Sequence, residues 1–116
     1  MQQANESRYE VSEGEVVTVK LIAHKVADTA IFTTSPVQSE QIASSPRTYR
    51  FTAHGNPGDT IFGLITCDFT GAQDGASFHA VVSSPGSGPF DGPTINKDDP
   101  DSEEPISLDF EFPEDQ

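Results

Sequence analysis

Residues 106–112 read Ile-Ser-Leu-Asp-Phe-Glu-Phe. Apolar and polar side chains alternate without a break, the repeat of a β-strand with one buried and one wet face. A helix over the same residues would scatter Ile106, Leu108, Phe110 and Phe112 around its circumference. The same period of two recurs upstream. It places Val17, Val19, Leu21 and Ala23 of residues 16–25 on one face. It does the same for Tyr49, Phe51 and Ala53 of residues 48–54, and for Phe78, Ala80 and Val82 of residues 76–82. Residues 61–69 set Ile61, Ile65, Cys67 and Phe69 on one side, but Phe62 and Leu64 make the start apolar on both sides. That pattern predicts a central strand. Shorter strands are expected over Tyr9–Val11 and Ala30–Thr34.

Turn chemistry separates these runs. Glu13-Gly14 and Ser44-Ser45-Pro46 stand between strands, and Gly55-Asn56-Pro57-Gly58-Asp59 combines Pro, which presets φ, with Gly, which accepts positive φ. Gly71 to Gly75 is expected to close a hairpin. No segment joins helical periodicity to caps, and Ser39–Ala43 offers a single helical turn. About seven short strands with frequent turns predict an all-β fold, an antiparallel β-sandwich formed by one domain over residues 1–116. The expected core is Val17, Val19, Leu21, Phe51, Ile65, Cys67, Phe78, Ala80, Val82, Leu108, Phe110 and Phe112. Residues 83–105, rich in Ser, Gly, Pro and Asp, read as a long acidic loop before the last strand, with Phe90 its exposed aromatic.

The opening Tyr9-Glu10-Val11-Ser12-Glu13-Gly14-Glu15-Val16-Val17-Thr18-Val19 resembles the start of immunoglobulin-like and Calx-beta domains. There a short strand, an acidic-Gly turn and a β-branched strand begin the sandwich, so the resemblance implies an immunoglobulin-like plan. The chain departs from antibody-type domains in having no Trp and only Cys67. It also lacks a Gly-Ser-Asp-Tyr stretch of the Calx-beta kind.

Charge narrows the function. The formal net charge is −13, and residues 91–116 hold ten of the nineteen acids with Lys97 as their one base. Phosphate contacts need Lys and Arg, so the balance argues against nucleic acid as a partner. No apolar run approaches the ~18 residues of a membrane-spanning helix, so no membrane insertion is expected. Met1 to Glu15 is polar, unlike a secretory leader. The residues leave the location open, with a position outside the cytoplasm slightly favoured for such a module.

Asp98, Asp99, Asp101, Glu103 and Glu104 are the candidate ligands for Ca²⁺, which takes six to eight oxygens. Asp99-x-Asp101-x-Glu103 imitates half of an EF-hand loop. It then places Glu104 where that loop needs Gly and Phe110 where it needs Glu, so a solvated acidic loop is the reading preferred over a calcium site. His54 and His79 lie on outward faces and His24 near a strand end, without metal-ligand spacing. Asp68 with His79 or His54 is the one pairing that suggests a base and its orienter. No nucleophile elbow or phosphate loop occurs. Asn56, Asp59 and Phe90 are candidate contacts for a ligand such as a carbohydrate. The expected role is a non-catalytic binding or structural module for a protein or carbohydrate, needing no cofactor. The alternatives are a calcium-dependent recognition module and, behind it, a small hydrolase.

Overall fold

Ten strands make up the fold in a computed structural model that describes residues 1–114. They are β1 (Gln2–Asn5), β2 (Arg8–Glu10), β3 (Val16–His24), β4 (Ile31–Ser35), β5 (Glu40–Ser44), β6 (Arg47–Thr52), β7 (Thr60–Thr66), β8 (Ser77–Ser84), β9 (Ser87–Asn96) and β10 (Ile106–Glu111). No helix occurs among the described residues. The first sheet runs β1-β2-β10-β7-β4 and the second β5-β6-β3-β8-β9. Every pairing is antiparallel except β2 with β10.

Alternation decides which side chains enter the core. All twelve expected core residues are buried, and they belong to one cluster drawn from both sheets. Aromatic rings join the sheets across the middle. Phe51 of β6 meets Phe110 of β10 edge-on at 5.0 Å, and Phe32 of β4 lies 6.0 Å from Tyr49 of β6. Such pairs add to the area their rings remove from water. Tyr9 stacks on Phe110 at 5.5 Å and donates its buried hydroxyl to the Glu6 carbonyl at 3.0 Å. Cys67 is buried, and desolvation pushes its thiol up to about 11. At neutral pH it is an inert core group.

One polar tie fastens β1 to the second sheet. The amino group of Met1 lies 2.7 Å from Glu15, which also accepts the Ser84 hydroxyl at 2.6 Å and the Ser12 N–H at 3.0 Å. Burial pushes the Glu15 carboxyl up, but the amine, Ser84 and the Ser12 N–H outweigh it and hold the group below its ordinary value.

Four expectations change. The described residues form ten strands where about seven are expected. Ser39–Ala43 is not a helical turn, because Glu40–Ser44 pairs with β6. Gly71–Gly75 closes no hairpin: the strands it follows and precedes, β7 and β8, belong to different sheets. Most consequentially, residues 83–105 are not one loop. Ser87–Asn96 forms β9 on β8, with two register breaks, and the acidic loop shrinks to residues 97–105.

Candidate functional site: the outer face of the first sheet

The strand β7 carries apolar residues in both directions. Its inward set is Ile61, Gly63 and Ile65, and its outward set begins with Phe62 and Leu64. Gly63 is fixed by packing. A Cβ there would stand 2.5 Å from the Leu108 carbonyl oxygen and 2.8 Å from the Phe32 ring. Glycine therefore lets Phe32 close over the strand and seat β7 against β10. The outward side has no such cover. Phe62 is 59% exposed, Leu64 43% and, on the neighbouring edge strand β4, Ile31 46%.

Register brings these three together. Leu64 pairs with Thr33 of β4, and Ile31 pairs with Thr66, so Ile31 stands diagonally to Leu64 on the same face. Such diagonal neighbours lie roughly 7–8 Å apart. On the other side β10 sets Ser107 against Leu64 and Asp109 against Phe62. β2 sets Arg8 beside Asp109. The result is an apolar stripe bordered by hydroxyls on β4 and by charge on β10 and β2. The stripe turns over the free edge of β4 into a cleft of about 430 Å³ that reaches Phe32, Thr34 and Tyr49.

Charge on this face is unevenly compensated. Arg8 donates through one nitrogen to both oxygens of Glu111, at 2.7 and 2.9 Å. Among the described residues no cation stands within ion-pair distance of Asp109. Burial and the nearby Glu111 raise its carboxyl above the ordinary value, and Arg8 opposes them.

The residues singled out from sequence do not assemble into one site. The Asn56 N–H donates to the Asp59 carboxylate at 2.8 Å, and the Asp59 N–H returns a bond to the Asn56 carbonyl at 2.9 Å, so both groups shape the turn. Phe90 is not an exposed loop aromatic. It sits half-buried on β9 with its ring 6.2 Å from Tyr9. The most exposed large apolar side chain among the described residues is Phe62, on the outward side of β7.

Asp98, Asp99, Asp101, Glu103 and Glu104 lie on successive turns between β9 and β10. Asp99 accepts the Asn96 N–H at 3.1 Å, and the loop's own carbonyls accept the Ser102 and Glu104 N–H groups. A cleft of about 360 Å³ opens beside them, floored by Ile95 and Ile106. Among the described residues no three His, Cys, Asp or Glu converge as a metal-binding group.

Neither histidine pairs with Asp68, which caps the Thr70 N–H at 2.9 Å. His54 Nδ1 lies 2.7 Å from Glu13, whose second oxygen accepts the Gly55 N–H at 2.8 Å. Those two partners, His54 first, hold the Glu13 carboxyl below its ordinary value. On the outer face of the second sheet His79 spans Thr94 at 2.8 Å through Nδ1 and Asp91 at 3.1 Å through Nε2. With the proton on Nε2, the imidazole donates to Asp91 and accepts from the Thr94 hydroxyl. The Asp91 side chain is 92% exposed, and so wet a contact has little leverage on a hydroxyl.

No family model, no curated protein and no solved structure matches the chain.

Proposed function

We propose that the chain is a non-catalytic binding or structural module of immunoglobulin-like plan, and that it recognises a protein through the outer face of its first sheet. The observation that carries the reading is the stripe of Ile31, Leu64 and Phe62, exposed side by side on a sheet whose other face is locked into the core. Scattered surface apolar residues are ordinary, whereas contiguous ones rimmed by polar groups mark interaction surfaces. Two aliphatic side chains beside one aromatic favour a protein over a sugar, for which aromatic platforms are the usual contact.

Strand order supports the plan. In immunoglobulin domains the second, fourth and fifth strands (B, D and E) share one sheet, and C, F and G form the other. Here β5-β6-β3 follows the order D-E-B, and β4-β7-β10 follows C-F-G. The hairpin β8–β9 occupies the place beside B where strand A stands in the constant-type sheet.

A photo-cross-linking side chain placed at position 62, with the same group at position 22 on the second sheet, tests the reading in the source cells. The expected result is a discrete adduct from position 62 alone, lost when Leu64→Ser is added. Equal adducts from both positions, or an adduct indifferent to Leu64, would overturn it.

A further inference from the structure

Asp109 separates the outer face of the first sheet from a plain apolar patch. It is directly across from Phe62, on the strand next to the stripe, and its carboxylate has no cationic partner among the described residues. The one nearby cation, Arg8, is engaged by Glu111. A partly desolvated carboxylate beside an exposed ring gains when a partner brings a positive charge and apolar surface together.

We propose that this face docks a protein segment carrying a Lys or Arg next to apolar side chains, with the cation on Asp109 and the apolar residues on Phe62, Leu64 and Ile31. The proposal rests on the reading of the first sheet as the recognition face. Charge complementarity selects this occupant over the others. A second copy would bring another net charge of −13 against the first. Membrane surfaces are anionic and would also be repelled. A basic segment is drawn in by the whole molecule and is then held where its cation is desolvated beside Phe62. Strands are spaced about 4.8 Å apart, so β10, β7 and β4 span roughly 10 Å, within reach of one short segment.

The test uses the full chain and a soluble fluorescent peptide in which Lys and Leu alternate, at about 0.15 M salt, where screening over about 8 Å suppresses diffuse attraction. Control peptides replace Lys by Glu, or Leu by Ser. The expected result is binding of the Lys–Leu peptide alone. Asp109→Asn should weaken it by about tenfold, as loss of a charged hydrogen-bonding partner does. Phe62→Ser and, separately, Leu64→Ser should weaken it by about tenfold or more. Asp98→Asn in the acidic loop should change it by less than about twofold. Thermal melts confirm that each variant is folded, and all four positions lie on the surface.

Loss of binding in the Phe62 and Leu64 variants with none in Asp109→Asn would overturn the cation requirement and leave the recognition face standing. Indifference to all three variants would overturn both. Equal weakening by Asp98→Asn and Asp109→Asn would reduce the effect to general attraction and overturn the proposal. Sedimentation equilibrium of the free protein at the same salt should give a monomer. A dimer lost in Phe62→Ser would make a second copy the occupant and overturn it as well.

Discussion

The two sheets bury their inner faces in the same way and differ on the outside. The second sheet turns Lys20, His24, His79, Arg50 and Thr94 to water; of its apolar outward residues, Ile22 is paired with His79, its diagonal neighbour Val81 is half-buried, and Ile42 lies on the edge strand β5. The first sheet lines up Ile31, Leu64 and Phe62 between the hydroxyls of β4 and a charged border of Asp109, Glu111 and Arg8. A sheet face in contact with water needs polar outward residues for solubility, and the second sheet meets that demand. The first meets it at its borders, with Arg8, Ser107, Asp109 and Glu111, but leaves three large apolar side chains exposed next to one another in its middle. The proposed function rests on that contrast, and measurements on each region test it.

The largest effect belongs to the inner faces. Phe110→Ala should destabilise the fold by about 3–5 kcal/mol in denaturant titration, as loss of a buried aromatic does. Phe62→Ser, on the same sheet but facing out, should stay within about 0.5 kcal/mol. A cost for Phe62→Ser near that of Phe110→Ala would mean that something in the chain covers the stripe, and the difference between the faces would vanish.

Gly63→Ala should cost about 1–3 kcal/mol or more through overpacking. Its new methyl meets a backbone carbonyl, which cannot swing aside, as well as the Phe32 ring. A neutral result would show that β7 is not seated on β10 as described.

Glu15→Gln tests the tie beneath the second sheet, with an expected cost of about 1–3 kcal/mol at neutral pH for the loss of charged hydrogen bonds. The Glu15 carboxyl is lowered in the fold from an ordinary value of 4.5. Its contribution is therefore complete above that value and is lost as pH falls through the lower, folded one. Urea titrations across that acidic window should show a loss of stability in the parent chain that is smaller in the variant. Parallel curves would remove Glu15 from the account.

The smallest effect is expected from the acidic loop. Millimolar calcium should move the melting temperature slightly, magnesium should do much the same, and moderate salt should reverse both, since clustered carboxylates attract divalent ions without holding them. Selective stabilisation by micromolar calcium would require real site affinity and shift attention to that loop.

How much of this was legible beforehand follows from what each strand buries. β10 buries one face and wets the other, so its alternation is complete in the sequence, and that of β3 is broken on the outward side only by Val16 and Ile22. β9 was hidden by Gly88, Pro89, Gly92 and Pro93, which read as a loop but are tolerated on an edge strand with irregular register. All five residues of β5 are exposed, so it left no periodic trace. The exposed stripe is hidden differently. Phe62 and Leu64 make β7 apolar on both sides at its start, which predicts a central strand, but apolarity alone does not say whether the outward side is covered. The distinguishing signal is the polar character of their cross-strand partners Ser35, Thr33, Ser107 and Asp109, and that requires the register.

The most direct measurement is a backbone NMR titration of the labelled chain with the alternating Lys–Leu peptide. Shift changes are expected to concentrate in β4, β7 and β10, with Ile31, Phe62, Leu64 and Asp109 among the largest, while outward residues of β3 and β8 stay still. Changes centred on His79 and Asp91, or on the loop of residues 97–105, would contradict it.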